Sequence, residues 1–251
     1  MTDDPRVGHW PYRVRYDECG PDGHLRTSVF LRWAQDLASH HSALLGFDRD
    51  WYRERGLVWL VRAAEVAVVA PVRFGDMIDG STRVVGSRRV WARRRTEFNA
   101  ADGRLSAWVQ IDWVLLDARG APTRIPPEFA AALTDPPAKL DLARVDLGER
   151  PPDARAAAFT VRPQELDPMD HANNAVYADW LDEGIIAGGG ESAVRAIPRL
   201  ARLEYARSAE RDDAVRSFAW PNAVGSAWSV RLFDDAGDLL RGRLELGVGT
   251  E

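Results

Sequence analysis

Two stretches of this 251-residue chain match each other at a single offset. Glu18 and Glu165, His24 and His171, Phe30 and Tyr177, and Trp33 and Trp180 all stand 147 positions apart. Four matches at one offset read as an internal repeat, which fixes the architecture before any residue is assigned a role. Each copy is a polar loop followed by a candidate helix: "DECGPDGHLRTSVFLRWAQDLASHHSALLGF" in the first half, "PQELDPMDHANNAVYADWLDEG" in the second. In the second, Tyr177, Trp180, Leu181, Gly184 and Ile185 recur at helical spacing and form one apolar stripe, with Asp179, Asp182 and Glu183 directed away from it. In the first, Phe30, Trp33, Leu37, His41 and Leu44 form the matching stripe.

A helix with one apolar stripe needs an apolar partner surface, and each helix is followed by strand-like sequence that can supply it. "NAADGR" and "DDAGDL" sit between such runs, as hairpin turns do. Between the halves, paired prolines at 126, 136 and 151 mark a linker with one short helix at "EFAAAL". We therefore expect an α+β chain of two similar domains, 1–130 and 157–251, joined by a linker over 131–156. Each domain holds a long helix wrapped by an antiparallel sheet, and the two pack as an intramolecular pseudo-dimer.

The chemistry-bearing residues concentrate in the loop of the second copy. A turn and a helix cap need one polar residue there, yet Asp167, His171, Asn173 and Asn174 crowd into it. A carboxylate before a buried helix can act as base or nucleophile, and the first N–H groups of that helix face the same space. An Asx turn before Pro168 is the other reading of Asp167. His171 can polarise a carbonyl or hold Asp167, or simply bond to backbone. One of Asn173 and Asn174 caps the helix, and the other fixes the loop or meets a substrate. Met169 suits the wall of an apolar pocket. In the first copy Gly20 stands where Asp167 stands, so that half lacks the acid, and "PDGH" reads there as a turn.

Composition excludes several classes. A net charge of -5 argues against a nucleic-acid surface, and no zinc-finger, basic-helix or aromatic-basic pattern accompanies the arginines of "GSRRVWARRRTEF". On a strand, Trp91, Arg93 and Arg95 would face one way and Arg94 the other. We expect a solvated sheet face there, some of whose arginines can attract an acidic partner. One cysteine, the absence of an apolar leader-like start and of any apolar run near 20 residues point to a soluble protein of the reducing cytoplasm, without membrane insertion. No phosphate-binding loop, nucleophile elbow or metal-ligand spacing appears, and the five histidines do not form a set, so we expect neither metal nor cofactor.

The motifs "YRVRYDECGPDGHLRTSVFLRWAQDLASHHSALLGF", "WLVRAAEVAVVAPVRFGD", "RIPPEF", "ELDPMDHANNAVYADWLDE" and "LARLEYARSAERDD" together resemble the acyl-acyl carrier protein thioesterase family across almost the whole chain. The resemblance implies tandem hotdog domains and hydrolysis of the thioester between a fatty acyl group and the phosphopantetheine arm of acyl carrier protein or CoA. It implies catalytic roles for Asp167, His171 and Asn173, and substrate contacts from Met169, Asn174 and Ser208. Three positions depart from the family's pattern: Met169 stands in place of its asparagine, and Ser208 and Ala209 in place of its glutamate and cysteine. These departures leave open a hotdog protein that binds acyl thioesters without cleaving them, or a dehydratase acting on 3-hydroxyacyl thioesters. A homodimer of tandem-hotdog chains is also left open.

Overall fold

A computed structural model describes residues 4–133 and 143–248. The first half contributes β1 (Gly8–Arg13), β2 (Val58–Val68), β3 (Met77–Arg88), β4 (Trp91–Ala100) and β5 (Leu105–Leu116). The second contributes β6 (Arg155–Thr160), β7 (Arg199–Tyr205), β8 (Ala214–Pro221), β9 (Ala227–Asp234) and β10 (Gly237–Leu246). The helices are α1 (Thr27–Leu44), α2 (Arg49–Glu54), α3 (Pro127–Leu133), α4 (Val176–Ala187) and α5 (Glu191–Arg195).

All the strands join one antiparallel sheet in the order β1-β3-β4-β5-β2-β7-β10-β9-β8-β6. Read from its middle outwards the order is the same in both directions, as two hotdog units side by side require. The seam is β2 against β7, with Val66 opposite Ala201. The stripes of α1 and α4 bury Phe30, Trp33, Tyr177, Trp180, Leu181 and Ile185 in one core shared by both halves. Burial of such side chains stabilises by about 1.5–3 kcal/mol each, so the core is what fixes the two helices on the sheet.

The repeat extends to individual hydrogen bonds. Arg15 donates its backbone N–H and its Nη2 to Glu18 at 2.8 and 3.0 Å, and Arg162 donates the same two groups to Glu165 at 2.7 and 2.6 Å. Each pair closes a single 3-10 turn ahead of the loop. Gly20 N–H then donates to the His24 carbonyl at 2.8 Å, as Asp167 N–H does to that of His171 at 2.9 Å.

Four expectations need correction. Leu44 is exposed, because α1 ends there and Phe47, after the Gly46 turn at φ 88°, is buried instead. Asp182 does not point to open solvent: its carboxyl is enclosed near Arg199, whose guanidinium also donates to Thr27 Oγ1 at the start of α1 at 3.1 Å. The run "GGG" over 188–190, which on sequence alone reads as a flexible exit from the second helix, provides close packing instead: a Cβ on Gly188 or Gly190 would meet the Trp228 ring at 2.8 or 2.6 Å. Finally, the outer face of the central strands is not a solvated arginine patch. Arg93 is paired with buried Asp112 at 2.6 Å, and Arg95 stacks on Trp108. The chain after the first half crosses this face, with Val145 N–H donating to Glu204 at 3.0 Å and Ser229 Oγ to the Leu147 carbonyl at 2.9 Å. Positions 134–142 of the expected linker lie outside the described residues; its short helix is α3. No helix among the described residues is long and apolar enough to cross a membrane.

Candidate active site

The loop before α4 is held from within and from a neighbouring strand end. Asp167 N–H donates to the His171 carbonyl, and Asp170 N–H returns to the Asp167 carbonyl at 2.9 Å. Asp170 takes φ 61°, a left-handed conformation that a short polar side chain tolerates. Met169 N–H donates to Asp167 Oδ1 at 2.8 Å, so the Asx turn is present, and it occupies one carboxylate oxygen. Ala172 N–H donates to the Ala209 carbonyl at 2.8 Å, and His171 bridges to Glu210, which sets the loop alongside residues 207–211. Ser208 is thereby brought next to the His171 segment.

The asparagines serve different ends. Asn173 Oδ1 accepts from Ala175 N–H at 2.9 Å and shapes the entry into α4. The carbonyl of Asn174 accepts from the Tyr205 hydroxyl at 2.9 Å, tying the loop to β7. Tyr177, in the first turn of α4, accepts from Ala209 N–H at 2.7 Å. Burial pushes its phenol up to about 12, and the nearby carboxylates of Asp213 and Asp167 act in the same direction. The hydroxyl therefore stays protonated near Asp167. Neither tyrosine was singled out from sequence as an anchor of this loop; Tyr177 was legible only as part of an apolar stripe, because spacing reports a face and not what a hydroxyl reaches.

Beside this loop the first half holds a cavity of about 830 Å³. It opens between α1, α2 and the inner face of β3 and β4, and its apolar wall includes Phe47, Trp59, Val84, Ala92 and Phe129. That volume falls in the range of small-molecule sites. Among the described residues that line it, Met169 is the one contributed by the second half, and its side chain is exposed at the rim. Trp59 and Trp113 face the cavity, whereas Trp108 packs with Ala67 and Leu200 in a separate cluster. The strand-like "EVAVVAP" and the aromatic "WLV" read either as core or as the wall of an acyl cavity supplied by the first half, and Trp59 of "WLV" does line it. The outline was not legible, because the walls come from several separate segments, each apolar enough to be ordinary core.

The family model for the acyl-ACP thioesterase N-terminal domain matches residues 7–133, and that for the C-terminal domain matches residues 148–235. The chain belongs to the acyl-ACP thioesterase family. Among curated relatives of this acyl-ACP thioesterase family member, the chloroplastic acyl-[acyl-carrier-protein] hydrolase FATB2 of Cuphea viscosissima is 23% identical over 271 residues, covering 98% of this chain and 64% of the relative. The chain thus spans just under two thirds of that relative's length. The 12:0-ACP thioesterase from Umbellularia californica superposes with a TM-score of 0.80 at 24% identity, covering 96% of each chain. An acyl-ACP thioesterase from Bacteroides thetaiotaomicron superposes with a TM-score of 0.81 at 14% identity, covering 98% of this chain and 99% of that one. At these identities the likeness establishes the double-hotdog fold. In this acyl-ACP thioesterase family member, Asp167, Met169 and His171 share one tight loop, and the Ser208–Ala209 segment lies hydrogen-bonded along its far side.

Proposed function

We propose that this protein hydrolyses acyl thioesters, with fatty acyl-acyl carrier protein or acyl-CoA as substrate, to free acid and thiol. The observation that carries the reading is the position of Met169: it lies two residues from both Asp167 and His171 and lines the rim of the cavity. An acyl chain occupying the cavity would present its carbonyl to that loop. Asp167 would take a proton from water as it attacks the carbonyl carbon, or attack directly to give an anhydride that water then opens. In either route the carbon–sulfur bond breaks and the thiolate leaves to take up a proton. His171 and the N-terminal end of α4 would orient the carbonyl and stabilise its developing negative charge. This reading places the protein in fatty acid biosynthesis in the cytoplasm. Release of free thiol from acyl-pantetheine, acyl-CoA and acyl-carrier-protein substrates tests it: turnover in the wild type and its loss in Asp167→Asn are expected, and no turnover above solvent background on a broad panel sinks it.

Ser208 and Ala209, at the positions of the family's glutamate and cysteine, favour a second reading in which the chain binds acyl thioesters without cleaving them. Retained binding in an inactive wild type would select it. Loss of water from a 3-hydroxyacyl thioester, rather than release of the free acid, would instead indicate dehydratase chemistry.

A further inference from the structure

The inner wall of the cavity carries a cation that no carboxylate of the described residues pairs with. Alternation along β4 turns Arg94 to the face that bears Ala92, Thr96 and Phe98, and leaves the side chain 6% exposed. Its Nη1 donates to His41 Nδ1 at 3.1 Å, and its Nη2 reaches Ser42 Oγ at 3.4 Å. The His41 ring cannot neutralise it. Nε2 of that ring lies 2.8 Å from the Pro5 carbonyl, which can only accept, so Nε2 bears the proton and Nδ1 offers a lone pair to the guanidinium. The ring is held in that pose by β1, where a Cβ on Gly8 would lie 2.7 Å from it.

No carboxylate among the described residues pairs with Arg94. Burial brings it down to about 10, still charged at neutral pH. Tyr52 lines the same cavity, and burial pushes its phenol up to about 12, so it remains a neutral donor there. Burying a guanidinium without a carboxylate partner is costly, and a cavity meant only for a hydrocarbon chain gains nothing from one.

We propose that the cavity selects acyl thioesters whose chain carries an oxygen acceptor towards its far end, a terminal carboxylate above all, which Arg94 binds with Ser42 and Tyr52. This rests on the assignment of the cavity as the acyl site. The competing role for Arg94 is to serve the C-terminal turn of α1, to which His41 and Ser42 belong, and which favours a cation.

The test uses non-hydrolysable S-alkyl pantetheine thioethers of one chain length ending in methyl, hydroxyl or carboxylate, with affinity measured by calorimetry on the full chain. The carboxylate-ended ligand should bind wild type about tenfold or more tightly than the methyl-ended one, with the hydroxyl between them. Arg94→Met should collapse that ratio towards one, and Arg94→Lys should retain part of it. Equal or tighter binding of the methyl-ended ligand by wild type overturns the proposal, as does an unchanged ratio in a folded Arg94→Met protein whose melting temperature alone has dropped. If Arg94→Met does not fold, the wild-type ratio decides. Because no bond is cleaved in this test, a wild type that binds the carboxylate-ended thioether but releases no thiol from the corresponding thioester overturns the hydrolase reading and leaves this one standing.

Discussion

Arg32 donates from Nη2 to Asp179 Oδ2 at 2.8 Å, and these two residues are separated by 147 positions, the repeat's own offset. Each is the counterpart of the other, so the pair marks where the pseudo-two-fold axis passes between α1 and α4. The two side chains are partly exposed, and such pairs contribute about 0.2–1 kcal/mol. Arg32→Asp should destabilise, because it sets like charges face to face, and adding Asp179→Arg should recover most of the loss. Denaturant melts of the two single variants and the double variant give the coupling energy; no recovery in the double variant would mean that the pair is incidental.

Asp182 gives stability a pH dependence of unusual sign for an aspartate. Burial pushes its carboxyl up from 3.8 to about 7 despite Arg199 nearby, with Asp179 and Glu183 adding to the rise. The folded chain therefore keeps a proton that the unfolded chain has released. Between about pH 4 and 7 stability should fall as pH rises, by at most about 1.4 kcal/mol per pH unit. Asp182→Asn should melt higher than wild type at pH 8, with the gap closing towards pH 4. A gap that is constant across this range would show that the group titrates normally.

Tyr177→Phe removes the acceptor for Ala209 N–H, a backbone donor that is buried. The unsatisfied amide should cost about 1–3 kcal/mol. Because the same bond holds residues 207–211 beside the His171 loop, turnover should fall by more than the loss of folded protein accounts for. Comparing kcat at a temperature where both proteins are fully folded separates the two effects.

Met169→Asn supplies the amide that the resemblance to the family implies at this position. If the loop lacks only a donor, kcat should rise, with Ser208→Glu as the companion change. If Met169 instead serves the cavity rim, KM should rise selectively for long chains, because an amide facing them loses water without gaining a partner. Kinetics of the wild type, Met169→Asn and Ser208→Glu across a chain-length series distinguish these outcomes. Identical constants at every length would remove Met169 from the site.

Gly190→Ala should destabilise by about 1–3 kcal/mol, since the new methyl would lie 2.5 Å from Ile185 and 2.6 Å from Trp228. Thermal melts check it. A neutral result would restore the reading of the three glycines as slack chain.

The repeat was legible because the two copies keep polar anchors as well as apolar ones. Glu18 and Glu165 stood out by spacing, and each proves to clasp an arginine three residues earlier. The alternation along β4 was legible too, since Arg94 faces inward and Arg93 and Arg95 outward. What covers each face was not, because the cover comes from sequence-distant chain: residues 143–147 over Asp112 and Glu204, and α1 over Arg94. Asp182 looked solvated for the same reason, as a helical wheel carries no record of a second helix. The loop at Asp167 and His171 was found from its density of polar residues, whereas the apolar strands that help wall the cavity beside it read equally well as core.

The seam between β2 and β7 makes one covalent chain of what two identical subunits would otherwise build. In a symmetric pair every substitution appears twice, so an acid gained or lost by one loop is gained or lost by both. Here Gly20 and Asp167 occupy equivalent turns with the same backbone hydrogen bonds but opposite chemical capacity. Fusion releases each loop from having to suit both ends of the molecule. One end is free to specialise in reactivity, while the other drifts towards whatever packing or recognition the chain requires.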